Sequence, residues 1–289
     1  MPIFDVFLLE AVLNGLLFGG VLALLALGLN LIFGVIDVVW ICYAELIMVG
    51  MYAVYFLHVV YGVPLLLAFA CGILLVAFGG MLLHYLVIRP ILGSEPINQL
   101  LVTGGVLFFL QALATLLFGV EFRNLGVSLP SVTLGDIYLP LSRIYAAATA
   151  LVAMLAVWLF LKRTYLGIAI RAISQDRAVM PLMGVDANRI YLLTSAIGGG
   201  LAGVGACLLV LQYDVHPAIG LSFGPITFMV CVMGGLGNLI GGFIAAFIFA
   251  QFISVGGFLY QTEWGYVMAF AFFIAMMFAR PQGLLGKSG

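Results

Sequence analysis

Charge is the first thing that this chain has little of. Its 289 residues include ten Lys and Arg and eleven Asp and Glu, which is 7% of the sequence and leaves a net charge of −1. Soluble domains carry about 25% charged residues. No basic run is present that could follow a phosphate backbone. The shortage of charge therefore excludes soluble globular proteins, disordered proteins and proteins that bind nucleic acid.

Cysteine pairs and catalytic motifs are scarce as well. The four cysteines lie within apolar segments without the CxxC or CxxxH spacing of metal sites, so we expect buried small side chains. The three histidines are far apart, and no HExxH motif occurs. The tail after Arg280 imitates a phosphate-binding loop, but Pro281 stands where that motif needs glycine. We therefore predict that the chain is not an enzyme, that it binds no metal or cofactor, and that partner subunits hydrolyse any ATP.

Long apolar runs, by contrast, are abundant. Hydrophobic residues make up 65% of the chain, and the mean hydropathy is +1.30. A run of about 20 apolar residues crosses a hydrocarbon core of roughly 30 Å as a helix. The fold class predicted from these runs is all-α, a polytopic transmembrane helix bundle with about eight full spans, in a single domain over residues 1–289. The predicted spans are Ala11–Gly34, Val38–Leu57, Pro64–Ile88, Asn98–Phe118, Ile144–Leu161, Ile190–Gln212, Leu239–Val255 and Gly265–Ala279.

One apolar stretch, from Ser222 to Leu259, is too long for a single span. Glycines between Gly234 and Gly242 interrupt it, and glycine at that density breaks a helix. We expect a short helix over Ile226–Met233, then a break, then a full span. Irregular backbone at membrane depth occurs only where it is buried in protein or lines a cavity. The break is therefore a candidate part of a solute pathway, through Gly234, Gly235, Gly237 and Asn238.

The placement of the few basic residues orients the predicted bundle. Eight of the ten fall in three segments between or after spans, and the positive-inside rule makes such segments cytoplasmic. Counting spans back from Arg89 places the N-terminus outside the cell, with the C-terminus in the cytoplasm. The same count requires the glycine break to lie toward the cytoplasm. The outer loop from Gly119 to Arg143 is long enough for a short extracytoplasmic element. The eight basic residues are Arg89, Lys162, Arg163, Arg171, Arg177, Arg189, Arg280 and Lys287.

Glu45 is the clearest ionisable residue inside a predicted span. A charge at membrane depth is expensive and usually marks a pathway or a paired site. If Asp37 and Glu45 share a helix, eight residues separate them by about 12 Å, which leaves Asp37 near the cytoplasmic interface. Two interpretations of Glu45 stay open, a pathway residue and a structural carboxylate bonded to a neighbouring span.

The predicted cytoplasmic segment 162–189 is the longest polar stretch of the chain. A short helix fits its first half, with Arg171 and Gln175 on one face, Ile168 and Ala172 on another, and Gly184 placed to end it in the left-handed region. Such a helix either docks on a cytoplasmic partner or lies among lipid headgroups. Composition alone does not decide between these two.

Several segments resemble the permease subunits of branched-chain amino-acid ABC importers, a family related to urea and amide permeases. The resemblance runs in order and spacing from about residue 10 to the C-terminus. It implies a bacterial or archaeal cytoplasmic membrane, a second permease subunit, two ATP-binding cassette subunits and an extracytoplasmic solute-binding protein. It also implies a coupling helix that contacts the ATPase through Arg171, Gln175, Asp176, Arg177 and Gly184. The segments that carry the resemblance are Asn14–Gly34, Gly167–Gly184, Met233–Gly242 and Ala279–Gly286.

One departure from the family pattern concerns the solute. Where the family has R-x-x-N-F-A-H-G-E, this chain has Asp37-Val-Val-Trp40-Ile-Cys-Tyr43-Ala-Glu45, and only the glutamate agrees. If this segment faces the pathway, Trp40 and Tyr43 favour a larger or aromatic solute. The function predicted is the permease subunit of an ATP-driven importer for a small organic solute of branched-chain amino-acid type. The alternative is a stand-alone secondary transporter or channel.

Overall fold

The computed structural model of the chain describes residues 3–127, 130–134, 137–175 and 183–286. Within those ranges, eight helices are long and apolar enough to cross a membrane, and a ninth apolar helix is shorter. The predicted bundle of eight full spans and one partial span is therefore confirmed. The predicted residues Asp176 and Arg177 lie outside the described ranges. The helices are α1 (Ile3–Ile36), α2 (Tyr43–Tyr55), α3 (Leu65–Leu83), α4 (Arg89–Ile91), α5 (Pro96–Phe118), α6 (Leu141–Arg163), α7 (Tyr165–Gln175), α8 (Ala187–Leu209), α9 (Ile219–Gly234), α10 (Leu239–Leu259) and α11 (Thr262–Ala279).

Helix α1 forms the centre of the bundle. Its residues from Val21 to Leu27 are completely buried, and it packs against α6, α8, α9 and α10. Glycines let these helices approach closely, because an added Cβ on Gly20 would meet the backbone of Ala147 in α6. The same holds between α3 and α8, where an added Cβ on Gly80 would lie 2.7 Å from the carbonyl oxygen of Ser195. Gly15 and Gly19 of α1, four residues apart, serve the same close packing, because added Cβ atoms there would meet Ser254 and Phe247 of α10.

Four spans lie at the periphery. The apolar windows of α3, α5, α6 and α11 are only 17–28% buried, and their exposed leucines and phenylalanines form the surface that faces lipid. Cys71 of α3 is among the exposed residues, whereas Cys42, Cys207 and Cys231 are buried, so the expectation of four buried cysteines is wrong for Cys71.

The second span differs from its prediction. A helix was expected from Val38, but α2 begins only at Tyr43, and one π-helical segment (Phe56–Val60) extends it at the other end. Asp37 adopts a left-handed conformation with φ of 57°, which stops α1 and turns the chain back into the bundle. The distance of about 12 Å along a helix from Asp37 to Glu45 is therefore wrong, because residues 37–42 are not helical.

The long loop before α6 holds a β-hairpin of β1 (Ser131–Leu134) and β2 (Ile137–Pro140). The strands are antiparallel, with Ser131 opposite Pro140. A further bridge joins Arg123 to Val215, in the connection between α8 and α9. The expected short element of this loop is thus present. The Arg123–Val215 bridge ties the loop to the connection between α8 and α9.

The glycine break lies where the sequence predicts it, between α9 and α10. The partial helix is longer than Ile226–Met233, because it begins at Ile219 and accommodates Pro225 within its second turn. The break is also shorter than the glycine run, since Gly241 and Gly242 are already helical. Asn238 caps α10, accepting a hydrogen bond from the backbone N–H of Gly241 through its side-chain oxygen.

Candidate functional site

Six described basic residues gather at one end of the bundle. The ends of α6 and α1, the start of α10 and the C-terminal segment border a single cavity. At the same end, α3 meets the start of α8, where the rings of His84 and Tyr191 lie 6.4 Å apart. We call this end the basic face and define it by Arg89, Lys162, Arg163, Arg171, Arg189 and Arg280.

Glu45 lies deep inside the bundle, in the first turn of α2. Its side chain is 0% exposed, and neither carboxyl oxygen has a hydrogen-bond partner among the described residues. Gly220 of α9 leaves the space that the carboxyl group occupies, because an added Cβ there would lie 2.5 Å from Oε1. No described basic side chain forms an ion pair with it. Of the two open interpretations, one was a structural carboxylate hydrogen-bonded to a neighbouring span. Among the described residues the structure contains no such hydrogen bond.

Trp40 and Tyr43, the two aromatics of the same segment, are buried and have partners. The Trp40 indole N–H donates to Cys42 Sγ at 2.9 Å, and the Tyr43 hydroxyl donates to the carbonyl oxygen of Gly198 at 3.1 Å. Gly28 provides room for the Tyr43 hydroxyl, since an added Cβ would overlap it. Tyr43 therefore joins the start of α2 to α8 and α1, whereas the Trp40 bond stays within the irregular segment. Both aromatics are buried, so neither faces open space in this conformation.

Asp37 stands apart from Glu45. It is exposed, at the end of α1, and its backbone N–H donates to the carbonyl oxygen of Phe33. The irregular segment that follows is held from another side by Thr103 of α5, whose hydroxyl donates to the carbonyl oxygen of Val39 at 2.9 Å. This bond satisfies a backbone acceptor that has no helical partner.

The break between α9 and α10 lies at the basic face. Gly235 and Gly237 have positive φ values of 99° and 79°, and an added Cβ on Gly237 would lie 2.8 Å from Cα of Gly34. Asn30 of α1 accepts a hydrogen bond from the Gly237 N–H at 3.2 Å. Glycine at these positions is thus required both by conformation and by contact.

The C-terminal segment closes over the break. The Leu284 N–H donates to the carbonyl oxygen of Met233 at 2.8 Å, and the Asn238 side-chain amide donates to the carbonyl oxygen of Leu285 at 2.7 Å. Gly283 fits against Gly235, where an added Cβ would lie 2.5 Å from the Gly235 nitrogen. The segments Met233–Gly242 and Ala279–Gly286, separate in sequence, therefore form one structural unit.

The predicted pathway residues are not all brought together. Glu45 contacts the start of α9 near Gly220, whereas Gly234 ends the same helix. These two glycines are about 21 Å apart along the helix axis, given a rise of 1.5 Å per residue. Glu45 and the break therefore form two separate sites joined by α9.

Helix α7 is the first half of the predicted coupling segment. Thr164 starts it, because its hydroxyl accepts a hydrogen bond from the Gly167 N–H at 3.0 Å. Its buried residues are Gly167, Ala169, Ile170 and Ile173. Ile168, on the predicted apolar face, is 51% exposed.

The polar residues of this segment agree better with their prediction. Arg171 and Gln175 are exposed, as expected for a helix that meets a partner. Gly184 has a φ of 79°, the left-handed conformation predicted for it. The helix end that it was expected to cap lies outside the described ranges.

A polar residue inside an apolar run predicts a hydrogen bond between helices. Asn30 of α1 makes such a bond, accepting from the Gly237 N–H more than 200 positions away in the chain. A second feature escaped sequence reasoning. Residues 220–224 read G-L-S-F-G, the spacing of a hydrolase nucleophile turn. They lie inside α9 and not between a strand and a helix, so the motif carries no such chemistry.

Known proteins resemble this chain over nearly its whole length. Residues 11–277 match the family model of the branched-chain amino acid transport system permease component. The chain is 29% identical over 294 residues to the high-affinity branched-chain amino acid transport permease protein BraD of Pseudomonas aeruginosa, with 96% of each chain covered. It is 27% identical over 303 residues to LivH of Escherichia coli, covering 97% of this chain and 96% of LivH. It is 28% identical over 286 residues to LivM of the same organism, covering 91% of this chain and 67% of LivM.

Proposed function

Since this chain belongs to the family of branched-chain amino acid transport permease components, we propose that it is the membrane-spanning subunit of an ATP-driven importer for branched-chain amino acids. The solute arrives from an extracytoplasmic binding protein and leaves at the basic face. That face is cytoplasmic, so the N-terminus is outside and the C-terminus inside a bacterial or archaeal cytoplasmic membrane. The chain itself binds no cofactor, and partner subunits hydrolyse ATP.

The observation that carries the solute proposal is the isolated carboxyl group of Glu45. Burying an ionised carboxylate without a partner costs several kcal/mol, and among the described residues none pairs with it. The ammonium group of an amino acid in transit is a matching partner, because it donates charge-assisted hydrogen bonds to a carboxylate. Trp40 and Tyr43 already have internal partners, which removes the reason to favour aromatic solutes.

The exposed side of α7 supports an ATPase contact at the basic face. The helix is held on the bundle by its buried residues and by Gly167, whose added Cβ would meet the backbone of Phe160. Arg171 and Gln175 are exposed. We propose that two ATP-binding subunits dock on this segment and on its copy in a second permease subunit, with Asp176, Arg177 and Gly184 completing the contact. The second permease is either another copy of this chain or a homologue.

The test measures uptake of labelled leucine by cells that lack their own branched-chain importers. The chain is produced together with candidate ATPase, second-permease and binding-protein subunits from its own organism. We expect the Glu45→Gln variant to take up leucine about 10- to 100-fold more slowly, because a hydrogen bond to a charged group contributes about 1.5–3 kcal/mol. Glu263→Gln, the same change at an exposed position of α11, is the matched control.

Two outcomes would contradict the proposal. Equal leucine uptake by Glu45→Gln and by the unmodified chain, with the assembled complex present in equal amounts, removes Glu45 from the pathway. Leucine transport by the purified chain alone in vesicles without ATP identifies a stand-alone transporter instead.

A further inference from the structure

A cavity of about 920 Å³ opens at the basic face. Its walls come from the last turns of α1, from α6 and α7, from the first turn of α10 and from the C-terminal segment. Helices α6 and α10 both pack against α1, and the cavity lies between them where they reach the membrane surface. It is separate from Glu45, which does not line it.

The polar lining of this cavity is cationic. Lys162 of α6 and Arg171 of α7 both border it, and no carboxylate is among the described lining residues. Lys162 also lies over the ring of Trp158, with Nζ 4.6 Å from the ring centre. Neither basic side chain forms an ion pair within the described ranges. Two cations without a protein anion among the described residues favour an anionic ligand.

Neutral polar side chains complete the lining, and they come from Asn30, Ser174, Asn238 and Gln282. The cavity also contains the N-terminus of α10, a helix of 21 residues, whose dipole attracts negative charge.

The rim of the cavity indicates where the ligand comes from. Trp158, Leu236 and Ile240 line it and are 42–52% exposed. Trp158 and Lys162 stand one turn apart at the end of the α6 span, the arrangement that anchors helices at a membrane interface. A water-soluble anion makes no favourable contact with an apolar rim, whereas the acyl chains of a lipid pack against one.

We propose that this cavity binds the headgroup of an anionic phospholipid from the leaflet at the basic face. The phosphate lies between Lys162 and Arg171, and the acyl chains leave past Trp158 and Ile240. The proposal rests on the cavity alone and requires neither the transport direction nor the solute argued above. A bound headgroup joins α6 and α7 to the start of α10, and so connects the predicted coupling helix to the glycine break.

The experiment titrates the purified full-length chain in neutral detergent with three short-chain probes, and follows tryptophan fluorescence together with native mass spectrometry. Trp158 borders the cavity, while Trp40 is buried and Trp264 lies at the far end of α11. The probes are dioctanoyl phosphatidylglycerol, dioctanoyl phosphatidylcholine and glycerol phosphate without acyl chains. We expect phosphatidylglycerol to bind most tightly, and Lys162→Gln to weaken its binding about fivefold.

The control is Arg163→Gln, which removes an equal charge from the next residue, exposed but outside the cavity lining. It should bind phosphatidylglycerol as the unmodified chain does. Arg171→Gln is the second cavity variant and should weaken binding even if Lys162→Gln folds poorly. Equal binding of the two lipids, equal loss in the control, or binding of glycerol phosphate as tight as that of phosphatidylglycerol would each overturn the proposal, the last by identifying a site for soluble anions.

Discussion

Gly237 offers the sharpest test of the geometry at the break between α9 and α10. Its φ of 79° is in the left-handed region, and an added Cβ would lie 2.8 Å from Cα of Gly34. Gly237→Ala therefore adds two separate penalties. The left-handed conformation costs an alanine about 1–2 kcal/mol, and overpacking against a helix backbone costs about 1–3 kcal/mol. The expected loss of stability is roughly 2–5 kcal/mol.

Gly34→Ala separates these two penalties. Gly34 faces the same contact, and an added Cβ would lie 3.1 Å from Gly237 Cα. Gly34 lies within helix α1, where alanine gains up to about 1 kcal/mol over glycine. This gain in helix propensity offsets part of the cost of the close contact. Gly34→Ala also avoids the penalty for the left-handed conformation, so it should lose at least about 1–2 kcal/mol less stability than Gly237→Ala.

The measurement is the midpoint of thermal unfolding in detergent, followed by the loss of the monodisperse peak in size-exclusion chromatography. Gly104→Ala in α5, where an added Cβ meets nothing within 4 Å, is the control and should not lower the midpoint. Equal losses for Gly34→Ala and Gly237→Ala would show that conformation contributes nothing at position 237. A Gly237→Ala variant as stable as the control would refute the geometry of the break.

Three further predictions concern other positions. Asp37→Ala should be about 1 kcal/mol less stable than Asp37→Asn, because asparagine tolerates the left-handed conformation of position 37 better than alanine does; equal thermal midpoints of the two variants would contradict this. Burial lowers the pKa of His216, although nearby Asp214 opposes the shift. Folding therefore favours the neutral imidazole of His216. Its contribution to the stability of the fold is present above the unfolded pKa of about 6.5 and is lost as the pH falls below that value. Thermal midpoints of the His216→Gln variant should fall less between about pH 7.5 and pH 5.5 than those of the unmodified chain, and identical falls would contradict this. Arg171→Ala should reduce ATP hydrolysis stimulated by the solute-loaded binding protein in the assembled complex, while Arg163→Ala should not; normal stimulation in Arg171→Ala would contradict ATPase docking at α7.

The spans could be predicted because a single property determines them. Helices that cross a bilayer must satisfy their backbone internally and expose apolar side chains, and apolar runs of sufficient length reveal them without knowledge of their neighbours. The glycine break between Gly234 and Asn238 was visible for the same reason, since it is a local departure from an apolar pattern. The β-hairpin lies in a loop whose length alone allowed for such an element.

The start of α2 could not be predicted in this way. Residues 38–42 are as apolar as a transmembrane helix, yet they form an irregular segment in which Val38, Trp40 and Cys42 are buried. The hydrogen bonds that replace the helical ones come from residues distant in the chain. The Thr103 hydroxyl, for example, donates to the Val39 carbonyl oxygen. The buried face of α7 could not be predicted for a similar reason. Both Ile168 and Ile170 are apolar, and the packing of α7 against α1, α6 and α8 decides that Ile170 is buried and Ile168 exposed.

The separation of Glu45 from the break changes how the site is understood. Helix α9 is the element that touches both, through Gly220 at one end and Gly234 at the other. At the basic face the end of α9 is bonded to the C-terminal segment through Met233, beside the cavity that Arg171 borders. A displacement of α7 reaches the break through α1, against which α7 packs and whose Asn30 and Gly34 contact Gly237. It reaches Glu45 only if α9 moves as a rigid rod. Gly220 is where such a movement would open or close the space around the carboxyl group, because no side chain stands between the α9 backbone and Oε1 there.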